Sequence, residues 1–376
     1  MGGTANEGVL MRVDSHEQGV GSWSTRLVVA VGVVAAAAMA LAPGAGAAGA
    51  GKYAQTNLVS DQAGKAQLHD PDLVNAWGLA FGPSTPAWVA NNHSNNSTLY
   101  AGGAGMTPVS KVPLTVAIPG GSPTGTVFNG SSSFMIGSGM NSAPATFIFD
   151  SEAGRITAWN LMLPNANKAQ TVAKVKGAIF KGLAIAKTKG GPRIYATDFH
   201  KGRVDVWDGS FARVHSKGAF TDPKLPNRYA PFGIQTVKGK IFVTYAKQDK
   251  NAEDDSSGPH RGFVDVYTTR GKLVRRFASH GPLDSPWGIA LAPRGFGPAS
   301  RDLLVGNFGN GAINAYDAKT GKLVGGLEST SGEKLKIDGL WALRFGNGVI
   351  GTRKTLLFTA GPNDEAHGLF GELTPH

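Results

Sequence analysis

The chain of 376 residues carries 37 Lys and Arg against 26 Asp and Glu, a formal net charge of +11, with 53 Gly, 21 Pro and no Cys. Without cysteine there is no disulfide framework, no thiolate nucleophile and no Cys-ligated zinc or iron–sulfur centre. The Gly and Pro content favours many turns between short strands over long helices, and the length permits one large domain or two or three smaller ones.

The first fifty residues differ from all that follow. Arg26 precedes an apolar run, 27–42, of 16 residues, which is short for a membrane span and suits the core of a signal peptide. Pro43 ends the run, and Ala-x-Ala sites at 45–47 and 48–50 offer cleavage points. Residues 1–50 are therefore read as an export signal, with a retained membrane anchor as the alternative. Residues 51–376 are read as one mature domain, secreted or held in the cell envelope, with no membrane span after cleavage. Removing 1–50 takes away two basic and three acidic residues and leaves 35 against 23, or +12. The Lys and Arg are scattered, densest at 247–250 and 272–276, and no basic stripe interleaved with aromatics occurs. The charge is read as a soluble, loosely adhesive surface, with no specific nucleic-acid partner.

Six copies of one short apolar phrase follow in chain order, at 75–80, 123–128, 180–185, 231–235, 286–290 and 339–343. Aligning Gly78, Gly125, Gly182, Gly233, Gly288 and Ala342 gives steps of 47, 57, 51, 55 and 54 residues. A period near fifty with strand grammar denotes a β-propeller. Second strands are predicted at 88–90, 147–149, 194–196, 241–243, 303–305 and 356–358. Third strands are predicted at 98–100, 155–160, 203–208, 263–267, 312–317 and 368–370. The cleanest copy is 285–317, where Asn310-Gly311 supplies the tight turn between second and third strands. Fourth strands are weaker, 272–277 and 322–327 being the best. The last copy has none, whereas the strand-like segment 52–60 precedes the first. Placed as the outer strand of the last blade, it closes the ring and removes an exposed sheet edge. The expected fold is an all-β, six-bladed β-propeller closed by an N-terminal strand in the last blade.

In such a ring, the lead-in to each innermost strand and the loop between second and third strands share one face, so residues distant in sequence converge on the channel mouth. The lead-in candidates are Asn75, Lys181, Pro231, Pro286 and Asp338. The loop candidates are Asn91, Asn92, His93, Asp198, His200, His260, Asn307 and His367, which include four of the nine histidines. Imidazoles, carboxylates and Asn carbonyls around a pore can hold a divalent metal, Asn suiting calcium and His favouring zinc, copper or iron. The ligands expected are Asn75, His93, Asp198, His260, Asn307 and Asp338, with His200 and His367 as catalytic proton carriers. The same residue types also fill ordinary surface turns. Loop 247–258 begins like a calcium loop at Asp249-x-Asn251-x-Glu253, but Asp254 stands where its sharp turn wants Gly, and a solvated acidic loop or lid is the other reading. Loop 361–368 is a second acidic segment. No G-x-S-x-G elbow, phosphate-binding loop or dinucleotide fingerprint occurs. The glycines after Trp77 and Trp287 are read as packing crowded central strands, and the tryptophans as core between blades.

The runs Asn75-Ala76-Trp77-Gly78-Leu79-Ala80, Tyr195-Ala196-Thr197-Asp198-Phe199-His200-Lys201-Gly202, Tyr229-Ala230-Pro231-Phe232-Gly233-Ile234-Gln235, Leu304-Val305-Gly306-Asn307-Phe308-Gly309 and Thr359-Ala360-Gly361-Pro362 resemble an uncharacterised family of exported propellers over about residues 53–373. More distantly the chain is similar to NHL-repeat propellers and to calcium-dependent lactonases of the gluconolactonase and paraoxonase type. That resemblance implies a calcium at the channel mouth with Glu, Asn and Asp ligands. Asn75, Asp198, Asn307 and Asp338 match in kind, and the first blade has no counterpart of the Glu. Two functions stay open: a ligand-binding or scaffold protein of the cell envelope, acting as a monomer, and a metal-dependent hydrolase or lyase acting on a small extracellular substrate.

Overall fold

Six short apolar runs at near-regular spacing can bury both faces only if each sheet packs between two others, and the ring that results is what the chain builds. The structure is a computed structural model that describes residues 49–103 and 107–376. The apolar run 27–42 and the cleavage site at 45–47 lie outside the described residues. The first blade comprises Ala76–Ala80, Ala87–Asn91, Asn96–Gly103 and Thr107–Ala117, the second Pro123–Phe128, Phe147–Ser151, Arg155–Trp159 and Gln170–Lys174. The third has Phe180–Thr188, Gly191–Asp198 and Arg203–Asp208, its fourth strand reduced to a bridge between Trp207 and Arg213. The fourth comprises Tyr229–Val237, Lys240–Lys247, Phe263–Tyr267 and Leu273–Ser279, and the fifth Pro286–Leu291, Leu303–Asn307, Ile313–Tyr316 and Leu323–Gly326.

The sixth blade is completed from the other end of the chain. Leu340–Phe345, Leu356–Ala360 and Leu369–Pro375 are followed in space by Lys52–Ser60, which runs antiparallel to the last of them with Tyr53 opposite Pro375 and Ser60 opposite Leu369. The expected closure and the bounds of its strand are both present. Two short parallel pieces, Leu68–His69 and Glu328–Ser329, pair with the closing strand. Sequence reasoning did not find the hairpin Met135–Ser138 and Asn141–Pro144, inserted between the first and second strands of blade 2. Among the described residues no helix is long and apolar enough to cross a membrane.

Apolar packing follows the ring. Six clusters each join two neighbouring blades, for instance Trp88, Phe147 and Trp159 between blades 1 and 2, and Phe296, Leu304 and Phe358 between blades 5 and 6. A seventh lies on the axis and contains Trp77, Phe199, Phe232 and Trp341, with Trp287 and Phe308 against it. Each such side chain withdrawn from water contributes roughly 1.5–3 kcal/mol. Trp88, Trp159 and Trp207 thus fill the spaces between blades, as expected, whereas Trp77, Trp287 and Trp341 fill the channel instead.

A shared defect puts them there. In every blade the register between first and second strands slips at the corresponding place, across Trp77-Gly78, Thr124-Gly125, Lys181-Gly182, Phe232-Gly233 and Trp341-Ala342, and in blade 5 at Trp287, just before Gly288. The bulge turns the first residue of each pair toward the axis. It also presses the second against the bulge of the next blade: a Cβ on Gly78 would meet the Thr124 carbonyl at 2.2 Å, and one on Gly233 the Trp287 carbonyl at 2.1 Å. These glycines serve close approach of the central strands.

Candidate site at the channel mouth

Five of the six bulges present aromatic rings or Thr124 to the axis, and the sixth presents Lys181. Its ammonium is 2% exposed, 2.5 Å from Glu152 Oε1 and 2.7 Å from Asp254 Oδ1, and sits 5.4 Å from the centre of the Trp77 ring. Burial works against the charge, but Glu152 and Asp254 outweigh it and push the Lys181 pKa up to about 12. Lys181 is therefore a fixed cation. Beneath it Trp77 stacks on Trp341 with centroids 3.6 Å apart, and Phe308 stacks on Trp341 at 4.0 Å. The Trp287 indole donates to the Lys181 carbonyl at 2.8 Å.

Loop length decides which blades reach over this floor. The longest connections between second and third strands are 248–262 in blade 4 and 361–368 in blade 6. The first folds across the mouth and supplies Asp254, 71% exposed, and Asp255, which accepts a hydrogen bond from Ser285. The second supplies Glu365. Its Oε2 accepts from Asn75 Nδ2 at 2.5 Å, and Asn75 Oδ1 accepts from the Trp341 indole at 3.0 Å. On the other side Asn92 donates to Glu152 Oε2 at 3.0 Å. Burial raises Glu365 to about 7, against the Asn75 hydrogen bond and the Lys181 charge, and raises Asp255 to about 6, against Ser285 and Lys181. In the second strand of blade 2, two residues before Glu152, Asp150 is buried with Oδ1 accepting from Thr124 and Gly125, Oδ2 without a partner, and a pKa raised by burial to about 7.

Backbone strain concentrates at the same place. Asn363, Asp364 and Glu365 have φ of 58°, 50° and 65°, a left-handed turn closed by Glu365 N to Gly361 O at 3.1 Å and Ala366 N to Asn363 O at 3.1 Å. Left-handed residues with a Cβ cost about 1–2 kcal/mol each, and runs of them are not normally seen. Asn75 and Ser285, which lead into blades 1 and 5, are left-handed as well, at 49° and 44°. Asp61 anchors the turn, with Oδ2 2.9 Å from His367 Nδ1 and Oδ1 accepting from Gly368 N at 2.9 Å.

Of the mouth candidates named from sequence, Asn75, Lys181 and Asn92 are part of this hydrogen-bonded cluster, and of the expected metal ligands Asn75 alone is. His93, His200 and His260 are exposed, the ring of His200 3.1 Å from the Ala252 carbonyl and that of His260 2.6 Å from the Gly281 carbonyl. His367 is held by Asp61. Asp198 is buried in its own turn, accepting from Ile179 N and Lys201 N. Asn307 donates to Pro282 O and leaves Oδ1 buried without a partner, and the exposed Asp338 accepts from Asn363 N. Among the described residues no group of three or more His, Asp or Glu is placed to share a metal ion. The donors at the mouth do not fit one either: both Asn75 side-chain atoms are engaged within the protein, and Glu152 and Asp254 close on Lys181.

Comparison with known proteins bears on this geometry. The chain is 32% identical over 327 residues to the uncharacterized protein R648 of Acanthamoeba polyphaga mimivirus, covering 84% of this chain and 78% of the viral one. The chain belongs to the family of that viral protein. No family model matches it. Among solved structures, that of a streptogramin B lyase superposes with a TM-score of 0.50 at 11% identity, covering 86% of this chain and 97% of the lyase. A gluconolactonase from Xanthomonas campestris gives 0.48 at 12% identity, over 81% of this chain and 87% of that one. At such identity the superposition with the lyase shows a shared fold alone.

Several members of the mouth escaped the sequence. Glu152 stands in a three-residue turn with no motif, and Asp150 occupies a strand position. Lys181 carried the usable signal, a charged residue at a bulge where four other blades place a large aromatic.

Proposed function

We propose that the protein is an exported propeller of the cell envelope that binds a small carboxylate-bearing molecule at the channel mouth. The observation that carries this reading is the Lys181 ammonium, buried over Trp77 and closed from outside by a single exposed carboxylate, Asp254, on the longest loop of the mouth. A buried charge is kept only if paired. A ligand carboxylate that displaces Asp254 preserves that pairing, while Asn92 and protonated Glu365 offer it hydrogen bonds. The apolar run 27–42 supports export, and the ring closed within one chain supports action as a monomer.

Calorimetric titration with a panel of small mono- and dicarboxylates tests the reading through the sign of a mutational effect. Asp254→Ala removes the competing carboxylate and tightens binding by roughly tenfold, the scale of one charge-assisted hydrogen bond. Lys181→Met abolishes it. Tighter binding of amines, weakened by Asp254→Ala, would reverse the assignment of ligand charge.

A second reading is favoured by Glu365, an acid raised to about 7 and oriented by Asn75. Such a carboxylate is tuned for proton transfer at neutral pH, and the adjacent ammonium would stabilise developing oxyanion charge, as in a hydrolase or lyase acting on a small extracellular substrate. Turnover of a lactone or ester that is lost in Glu365→Gln with binding retained would establish it.

A further inference from the structure

The face opposite the mouth, made of the connections between first and second and between third and fourth strands, is divided by composition. In blade 2 these connections, 129–146 and 160–169, hold one charged residue, Lys168. They also hold four of the most exposed large apolar side chains among the described residues: Met140, fully exposed, Met162 at 82%, Leu161 at 63% and Met135 at 50%. Met140 lies at the tip of the inserted hairpin, which is fastened to blade 3 by Phe134 N donating to Gly209 O at 2.6 Å and to its own outer strand by Gly137 N donating to Gln170 Oε1 at 3.1 Å. The tip is thus held out on a braced element.

Round the ring, the same connections of blades 3 to 5 are cationic. Lys189, Lys238, Arg270, Lys272, Arg301 and Lys319 are exposed there and form no ion pair within the described residues. The acids among them are Asp208, Asp302 and Asp317. Asp208 caps its own turn through Ser210 and Ala212, and Asp317 does so through Thr320. Two clefts open between the cationic connections, one of about 590 Å³ between blades 4 and 5 with Phe242, Leu291 and Arg301 in its wall, and one of about 570 Å³ bordered by Lys189, Arg270 and Lys272.

We propose that this face docks on an anionic lipid surface. Exposed apolar tips alone would suit any partner, and unpaired cations alone any polyanion. Their presence on one face fits a bilayer, where apolar side chains enter the acyl boundary and cations meet headgroup phosphates. Gly51 lies against Pro298, and Tyr53 donates to the Phe296 carbonyl and stacks on its ring, both partners belonging to the first connection of blade 5. The described chain therefore enters the propeller on this face, opposite the mouth.

Cosedimentation of the full chain with vesicles of phosphatidylcholine alone, or mixed with phosphatidylglycerol, tests the proposal. Any contribution of the run 27–42 is common to all variants, and the measured quantity is the preference for anionic vesicles. Wild type binds the anionic vesicles at least tenfold more tightly, and added salt reduces the preference. Lys272→Glu with Lys319→Glu lowers it roughly tenfold or more, Met140→Glu with Met162→Glu lowers binding severalfold, and Lys336→Glu on the mouth face leaves it unchanged. Circular dichroism of each variant confirms the fold. Equal binding to both vesicle types, or a preference indifferent to the charge reversals, overturns the proposal. Binding to DNA or soluble polyphosphate that equals vesicle binding and ignores the Met substitutions also overturns it, in favour of a polyanion surface.

Discussion

The side chain on which the mouth depends is Lys181, because removing it leaves Glu152 and Asp254 facing each other without a cation. Lys181→Met is expected to cost about 1–2 kcal/mol in denaturant unfolding, because the carboxylates left behind are partly exposed and regain water, with part of the loss recovered in Lys181→Met/Glu152→Gln. The acids around it give a pH dependence of definite sign. Asp150 and Glu365 titrate at about 7 and Asp255 at about 6 in the folded chain, above the unfolded values of about 4. The folded state therefore holds more protons through this window, and each acid subtracts stability as the pH rises from about 4 to its folded pKa, by up to about 1.4 kcal/mol per pH unit. The raised pKa of Lys181 gives a slope of the same sign in a higher window, its stabilising contribution being full below the unfolded value of about 10.5 and lost as the pH rises through about 12. Melting temperatures measured from pH 4 to 8 should fall with pH, and the slope should flatten in Asp150→Asn and Glu365→Gln. An unchanged slope in both variants would refute the assignment. The histidines that the loops brought to attention play no part in this, for a physical reason. His93 and His200 stand in four-residue turns and His260 near the end of the 248–262 loop, all three exposed, and His367 is held by Asp61.

At the scale of elements, strands were far more legible than connections. Strand cores were visible because burial on both faces demands apolar runs, and the turn at Asn310-Gly311 because its conformation selects those residues. The blade 2 hairpin was not, since its strands, MIGS and NSAP, are short, half-exposed and without alternation. The left-handed turn at 363–365 could not be foreseen either, because its conformation is imposed by the contacts of Asn75 and Asp61 and not by local sequence. It yields a direct test. Asp364 is exposed at φ 50° and can be replaced by a residue that tolerates this region at no steric cost. Asp364→Gly should raise stability by about 1 kcal/mol in chemical denaturation. If the turn is instead relaxed in solution, the substitution would lower stability through the added freedom of the unfolded chain.

For the whole molecule, the ring and its closing strand followed from two facts readable in the sequence, the absence of a fourth strand in the last copy and the surplus strand before the first. What the sequence did not disclose is that the channel is filled with aromatic rings, so that chemistry is confined to its ends. Deleting 52–60 removes the outer strand of blade 6 and bares the edge of Leu369–Pro375. The truncated chain should lose cooperative unfolding and aggregate, as seen by calorimetry and light scattering, whereas deletion inside the 248–258 loop should leave a cooperative transition. The closure also orders events in time. The strand made first must wait for the strand made last, so a nascent chain holds no finished ring while synthesis continues. Bringing together segments more than 300 residues apart adds a loop-closure cost that grows only logarithmically with length, yet it must be met before the last blade returns any stability. The final step of folding is thus a docking of the two ends, and its rate should depend on the sequence of both termini more than on any blade between them.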